Sequence, residues 1–244
     1  MTNLVKKILA LFTLIGAELV ILGGVAFICV SLFLLMAKLV FLDQNQTLDM
    51  AAFAFAKRHT TPGFTAFMRF VTFFASKDFL IYGSLSLAFI FFFIKKHRWY
   101  AVKIPVIAAG SSLLNQGMKF WFDRPRPETA FYEQSGFSFP SGHAMIGGAF
   151  YGLFIYLVWT NIKSLFWRWF FTLLLCLWIV LIGYSRVYLN VHYASDILAG
   201  WSAGFVFLII SLRVLRKFEP TNARKATEVI QEENAPENRK RKNA

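Results

Sequence analysis

Long apolar segments alternate with short polar connections along most of the chain. Six segments are readable, at 8–41, 79–94, 101–118, 144–159, 167–184 and 197–212. A helix needs about 20 mostly apolar residues to cross a bilayer, and flanking aromatic residues bring the shorter segments close to that length. The pattern therefore predicts an all-α fold, an integral membrane bundle of six transmembrane helices.

A different pattern lies between the first two apolar segments. Thr61 and Pro62 are typical of a helix N-cap followed by the first helical position. Apolar residues then recur at helical spacing, and polar residues take the opposite face. The apolar set is Phe64, Phe67, Met68, Val71 and Phe74, and the polar set is Thr65, Arg69, Thr72 and Ser76. This stretch predicts an amphipathic helix, either in the outer membrane interface or packed as a lid on the bundle.

Composition and charge support a membrane location over nucleic-acid binding. Hydrophobic residues make up 57% of the chain, which is more than soluble domains usually carry, and the net charge is +13. Most of the 26 Lys and Arg residues lie near the N-terminus, around 95–103, around 161–168 and in the C-terminal tail. An even number of spans puts both termini on one side, and this bias predicts that the side is cytoplasmic. The connections at 119–143 and 185–196 then face outward.

The same reading divides the chain into two parts. Residues 1–217 are expected to form the transmembrane domain, and residues 218–244 are expected to form a disordered, basic cytoplasmic tail. Cys29 and Cys176 lie in distant apolar segments, which favours neither a disulfide framework nor a metal-binding pair.

Two helices carry small residues at a spacing that allows close packing. Gly148 and Gly152 lie in the fourth apolar segment, and Gly200 and Gly204 lie in the sixth. Small residues four apart let the backbones of membrane helices approach each other. The spacing predicts that these two helices meet.

Polar motifs interrupt the apolar pattern at three places that the predicted topology brings to the outward face. KFWFDRPRP at 119–127 ends the third apolar segment, and PSGH at 140–143 opens the fourth. YSRVYLNVHYASD at 184–196 leads into the sixth. Because all three are expected at one membrane face, they are candidates for a shared site.

The cations and small residues of these motifs suit a phosphate group. The guanidinium of Arg126 is a planar fork that matches phosphate oxygens, Lys119 adds a point charge, and Arg186 can clamp the same anion. Ser141 and Gly142 open a long helix, where free N–H groups and the helix dipole favour an anion.

His192 and Asp196 supply a reactive pair, since residues four apart share a helix face. A carboxylate bonded to one imidazole nitrogen makes the other nitrogen a better nucleophile. The set predicts phosphoryl transfer, in which His192 attacks phosphorus, His143 protonates the leaving oxygen and the cations hold the remaining oxygens. Metal-dependent hydrolysis fits less well, because the sequence contains no HExxH or Asp-rich motif.

These motifs resemble those of the type 2 phosphatidic acid phosphatase family, K-x6-RP, PSGH and SR-x5-H-x3-D. Here they begin at Lys119, Pro140 and Ser185, and they match in the family's order without a gap or substitution. The segment DRPRP contains two Arg-Pro pairs, and the spacing selects Arg126. Arg124 is then either a second clamp or a surface charge.

The resemblance implies a metal-independent membrane enzyme with a phosphohistidine intermediate and no cofactor. By motif match, His192 is the nucleophile, Asp196 orients it and His143 is the general acid. The implied phosphate-binding residues are Lys119, Arg126, Ser141, Gly142 and Arg186. The family's soluble relatives are vanadium haloperoxidases, whereas the membrane branch dephosphorylates lipids. The expected substrate is a phosphomonoester or pyrophosphate on a lipid tail, which would enter past the aromatic helix at 64–74.

Two other functions would use the same features. A lipid phosphotransferase would pass the phosphoryl group to a second lipid, and a non-catalytic protein would bind anionic lipid with the cations alone. Phosphatidic acid, phosphatidylglycerol phosphate, polyprenyl pyrophosphate and lipid A phosphates all remain open as substrates. The expected partners are thus the lipid phosphate and the bilayer, with no nucleic acid, and the sequence does not indicate an oligomeric state.

Overall fold

The computed structural model describes residues 3–132 and 134–219, with the side chains of residues 3–19 and of residue 96 left outside the description. The described residues form eight α-helices and contain no strand. The helices are α1 (Asn3–Ala37), α2 (Thr47–Arg58), α3 (Pro62–Phe73), α4 (Lys77–Phe93), α5 (Tyr100–Phe122), α6 (Gly142–Asn161), α7 (Leu165–Tyr188) and α8 (Ala194–Lys217). The predicted all-α fold is confirmed, whereas the predicted tail beyond Glu219 lies outside the described residues.

Four or five of the six predicted spans meet the requirements of length and apolar composition. Four segments do so alone, Val20–Leu42, Gly142–Asn161, Leu165–Tyr188 and Ala194–Lys217. Helices α3 and α4 do so only together, as a pair bent by 44°. Helix α5 has 23 residues but does not meet the requirement of apolar composition for a span. It contains the polar residues Lys103, Asn115 and Lys119, which are buried. The chain is therefore an all-helical membrane protein with four to five candidate spans.

Local signals explain where several helices begin. The Thr61 hydroxyl accepts a hydrogen bond of 3.2 Å from the Phe64 backbone N–H, with Pro62 at the first helical position, as the sequence predicted. Ser76 caps α4 in the same way, accepting from the Phe79 N–H at 3.3 Å. The Ser76 cap marks the break between α3 and α4, where the chain bends.

Helix α3 packs on α7, and its faces differ from the predicted division. The buried residues of α3 are Met68, Val71 and Thr72. The Thr65 hydroxyl lies 2.9 Å from the Tyr188 hydroxyl, whereas Phe67 and Phe70 are exposed. The predicted separation of Thr65 and Thr72 from the apolar face was wrong, because both contact α7, Thr65 through the Tyr188 hydroxyl and Thr72 through the Arg186 guanidinium.

The ends of four helices meet at one end of the bundle. The C-termini of α5 and α7 and the N-termini of α6 and α8 carry the three polar motifs there, and the backbone N–H of Ser141 donates to Asp196 O at 3.1 Å. Helices α6 and α8 make the most extensive contact in the bundle. A Cβ at Gly200 would lie 2.8 Å from Ser141 O, and one at Gly204 would collide with Met145 O. The predicted close approach of these two helices is confirmed.

We expect Gly200→Ala to destabilise the protein and displace the PSGH turn. The added methyl group would meet the Ser141 carbonyl at 2.8 Å, and overpacking of this kind costs about 1–3 kcal/mol. Thermal unfolding in detergent measures the loss. Gly24→Ala is the matched control, since a Cβ there meets nothing within 4 Å. Equal stability of the two variants would contradict the proposed tight contact.

Candidate active site

A cavity of about 800 Å³ opens at the end of the bundle where the motifs meet. Five of the eight predicted site residues line it, Lys119, Arg126, Gly142, His143 and His192. The other three, Ser141, Arg186 and Asp196, are fully buried around it. The structure thus brings all eight predicted residues to one place.

His192 is held by both ring nitrogens. Its Nδ1 lies 3.3 Å from Asp196 Oδ2 and 3.2 Å from Ser138 Oγ. Its Nε2 lies 3.2 Å from Arg126 Nη1. A guanidinium can only donate, so Nε2 must accept and the ring proton is on Nδ1. The lone pair of His192 Nε2 therefore points toward Arg126, which lines the cavity.

The surroundings of His192 favour its neutral form. Burial lowers the pKa of His192 well below its usual value, and the positive charges of Arg186, Arg126 and Lys119 lower it further. A lowered pKa keeps the imidazole uncharged at neutral pH. An uncharged imidazole is the form that can act as a nucleophile.

Neutral oxygens of one loop, residues 134–137, accept hydrogen bonds from all three cations. Lys119 donates to the Phe137 carbonyl, and Arg126 Nε donates to Gly136 O at 2.8 Å. Gln134 Oε1 accepts from Arg126 Nη1 at 3.1 Å and from Arg186 Nη2 at 2.5 Å. A single amide oxygen thus joins two guanidinium groups. Acceptors on one short loop therefore bring the three cations together beside the cavity.

Arg186 is fully buried, with two further acceptors for its Nη1. The Thr72 hydroxyl accepts at 2.7 Å and the Tyr132 hydroxyl at 2.5 Å. These contacts explain why Thr72 faces inward. They also aim the other terminal nitrogen of Arg186 toward Gln134 and the cavity.

The PSGH turn contributes an open hydroxyl beside these cations. Ser141 Oγ is buried, makes no cap bond to α6 and has no hydrogen-bond partner among the described residues. Asn115 Nδ2 donates to Pro140 O at 3.2 Å, which ties the turn to α5. A Cβ at Gly142 would lie 3.1 Å from Asn115 Oδ1, so a side chain there would crowd the turn. The unpaired hydroxyl and the start of α6 suit an anion.

Several site residues were not found from the sequence. Ser138 and Gln134 lie in an irregular loop, where no spacing rule applies. Helix α2 was missed, although Asp49, Ala52, Phe53 and Ala56 follow a helical pattern that could have revealed it. Its Asp49 is buried and pairs with Arg124 at 2.8 Å. Arg124 is therefore neither a surface charge nor part of the cavity lining.

The cavity continues from the cations between α4 and α5. Its apolar wall includes Leu80, Ile81, Leu85, Pro105 and Leu113. No residue of 64–74 lines it, and the groove lies along α4, on the other side of the bend from α3. Lys119 and Pro105 are 14 positions apart on one helix, which corresponds to about 21 Å at 1.5 Å per residue. The groove can receive an apolar chain attached to a group held by the cations.

The polar groups of the site are mostly hydrogen-bond donors. Among residues 3–132 and 134–219, no group of three or more His, Cys, Asp or Glu side chains is placed to hold a metal ion. The arrangement of three cations, a free hydroxyl and a neutral imidazole can bind an oxyanion and attack its central atom.

Comparisons with known proteins agree with this geometry. A family model described as the PAP2 superfamily matches residues 100–220. Phosphatidylglycerophosphatase B of Bacillus subtilis is 29% identical over 180 residues, which cover 73% of this chain and 88% of the relative. An undecaprenyl-diphosphatase of Sulfolobus acidocaldarius is 36% identical over 80 residues, covering 32% of this chain and 34% of that protein.

Two solved structures have a similar fold. A transmembrane PAP2 type phosphatidylglycerolphosphate phosphatase from Bacillus subtilis matches with a TM-score of 0.70 and 28% identity, covering 79% of this chain and 98% of that one. Aquifex aeolicus LpxE matches with a TM-score of 0.55 and 22% identity, covering 69% and 97% respectively, and supports the fold alone.

Proposed function

We infer that this chain belongs to the PAP2 (type 2 phosphatidic acid phosphatase) superfamily and is an integral membrane hydrolase acting on phosphoester bonds. From that premise we propose that it releases phosphate from a membrane lipid through a phosphohistidine, without a metal ion. One observation carries the proposal. The unprotonated Nε2 of His192 faces the cavity that holds the converging cations and opens into an apolar groove.

In the first step, His192 Nε2 forms a bond to phosphorus while the bond from phosphorus to the leaving oxygen breaks. Asp196 accepts the Nδ1 proton in a hydrogen bond and stabilises the positive charge that develops on the ring. Lys119, Arg126 and Arg186 replace their loop acceptors with phosphate oxygens. His143 lines the same cavity and gives its proton to the leaving oxygen.

In the second step, water attacks the phosphohistidine from the side that the leaving group vacated. His143 has lost its proton in the first step, so it now accepts one from the water. The bond between phosphorus and Nε2 breaks, and its electron pair returns to His192. Inorganic phosphate leaves, and both histidines regain their initial protonation states.

We place the site on the outer face and both termini in the cytoplasm, with α5 as the sixth span. The end of the bundle opposite the site carries basic residues from three regions, Lys95, Arg98, Lys163, Arg168, Arg216 and Lys217. Positively charged ends of spans favour the cytoplasm. Helix α5 directs its polar groups inward, as Lys103 does in its 3.3 Å ion pair with Glu219.

The proposed substrate class is a phosphomonoester or pyrophosphate on an apolar tail. The relatives are named for phosphatidylglycerophosphate and for undecaprenyl diphosphate, which differ in tail but share a terminal phosphoryl group. The groove is compatible with either lipid tail. In the proposed complex the cations contact only the terminal phosphoryl group. Phosphatidic acid and lipid A phosphates share this terminal group and belong in the same panel.

The experiment that tests the function is phosphate release by the purified protein in detergent with excess EDTA. We expect release from at least one of phosphatidic acid, phosphatidylglycerol phosphate, undecaprenyl diphosphate and lipid A phosphate, with rates unchanged by the chelator. Loss of activity in EDTA, restored by a divalent metal, would contradict metal independence. Label from the donor found in a second lipid instead of free phosphate would show a transferase.

A further inference from the structure

Arg124 is buried outside the cavity and binds three side chains at once. Its Nη1 donates to Asp196 Oδ1 at 2.6 Å and to Ser195 Oγ at 2.8 Å. Its Nη2 donates to Asp49 Oδ2 at 2.8 Å. The guanidinium carbon also lies 3.8 Å from the centre of the Tyr193 ring. A side chain held this completely cannot swing into the cavity to clamp phosphate.

Asp49 closes the network from helix α2. Its side chain is 2% exposed, and besides Arg124 it accepts from the Ser195 backbone N–H and from the Ser195 hydroxyl, both at 2.8 Å. A buried carboxylate with three charge-assisted or neutral donors is well satisfied. Asp49 therefore fixes the first turn of α8, which carries Asp196.

The two oxygens of Asp196 have separate partners. Within the described part of the chain, Oδ1 accepts from Arg124 alone, whereas Oδ2 accepts from the Tyr193 N–H at 3.0 Å, from the Ser138 hydroxyl and from His192 Nδ1 at 3.3 Å. The hydrogen bond from Arg124 to Oδ1 fixes the orientation of the Asp196 carboxylate. That orientation determines the position of Oδ2 relative to the His192 imidazole. Arg124 thus acts on His192 through one intervening side chain.

The charges of the network suit a ring that becomes positive during the reaction. Arg124 carries one positive charge, and Asp49 and Asp196 carry two negative charges in total. The balance is one negative charge buried beside His192. Without Asp49, the charge of Arg124 would cancel that of Asp196 and leave the imidazolium without a net counter-charge.

We propose that Arg124 and Asp49 are positioning residues, whose buried ion pair holds Asp196 and thereby the nucleophile His192 in reactive geometry. The proposal rests on the proposed function of the site. It assigns Arg124 a task different from that of its neighbour Arg126, which lines the cavity two residues away.

The test compares Arg124→Lys and Asp49→Asn with Arg126→Lys as the matched control. A lysine at 124 cannot bridge Asp196 and Asp49 with a fork, and we expect kcat to fall about 10- to 100-fold, as small misplacements of reacting groups do. Inhibition by inorganic phosphate reports the cavity directly. We expect its inhibition constant to change less than about threefold in the first two variants, and to rise about tenfold or more in Arg126→Lys.

A purely structural role would lower the amount of folded protein without this split between kcat and phosphate affinity. The effects of Asp49→Asn and Arg124→Lys should also fall short of their product in the double variant, because both break one unit. Should Arg124→Lys fail to fold, Ser195→Ala removes one hydroxyl from the same network and should show a smaller loss of the same kind.

Two results would overturn the proposal while leaving the function intact. The first is wild-type kcat in Arg124→Lys and Asp49→Asn. The second is a weakening of phosphate inhibition in Arg124→Lys as large as that in Arg126→Lys, which would make Arg124 a clamp. A wild-type protein without turnover in the same assay would instead refute the function itself, and this inference with it.

Discussion

His192→Ala will lower phosphate release by about 10⁴-fold or more at saturating lipid, the scale on which loss of a covalent nucleophile acts in other enzymes. The imidazole Nε2 is the nitrogen whose electron pair faces the cations, and alanine offers no replacement. The variant should still bind inorganic phosphate, because Arg126 loses its contact with the ring but keeps its bonds to Gly136, Gln134 and Val191. The measurement is release of phosphate from the preferred lipid, beside phosphate binding to the same preparation.

His59→Ala is the matched control. His59 follows the end of α2, and its ring Nδ1 contacts Phe55 O at 2.9 Å on an exposed surface. Wild-type activity is expected for that variant. A second readout uses lipid labelled in its terminal phosphoryl group, with acid-labile label retained on rapidly quenched wild-type protein and absent from His192→Ala. Label retained on the alanine variant would place the covalent step elsewhere.

His143→Gln will slow lipid turnover by about 10²- to 10⁴-fold, the usual contribution of a positioned general acid. A lipid alkoxide is a poor leaving group and needs the proton that the proposed mechanism assigns to His143. The nitrophenolate of para-nitrophenyl phosphate leaves without one. The first step should therefore be spared for that substrate, whereas attack by water still lacks its base.

The expected signature in His143→Gln is a rapid release of about one equivalent of nitrophenolate per protein, followed by slow turnover. Phosphorylated protein should accumulate in the same experiment. An equal loss on the lipid and on the nitrophenyl ester would show that His143 binds phosphate and does not transfer a proton.

The grouping of the motif residues at the helix ends was predictable because it follows local spacing. His192 and Asp196 are four apart, and the other predicted residues sit at fixed positions in motifs that begin or end apolar segments. Spacing rules do not predict contacts between residues that are far apart in the sequence. Asp49 meets the backbone of Ser195 over a separation of 146 residues, and nothing near Asp49 in sequence indicates that contact.

Hydropathy also has a limit inside a bundle of this kind. Helix α5 falls short of the apolar threshold because Lys119 and Asn115 serve the cavity, and Lys103 is buried at the other end with Glu219. The predicted division of α3 into an apolar and a polar face failed for a related reason. The sequence grouped Thr72 with Arg69, whereas Thr72 accepts a hydrogen bond from the buried guanidinium of Arg186 and is buried with Val71.

Oxygens of Gln134, Gly136 and Phe137 accept hydrogen bonds from the cations of the site, and these bonds affect product release. When product departs, these oxygens are at hand to replace it, so the three positive charges are not left to repel one another while the site refills with water. Dissociation is thereby made easier, at some cost in affinity for the free anion. We expect inorganic phosphate to inhibit this protein weakly, so that turnover continues where orthophosphate is abundant.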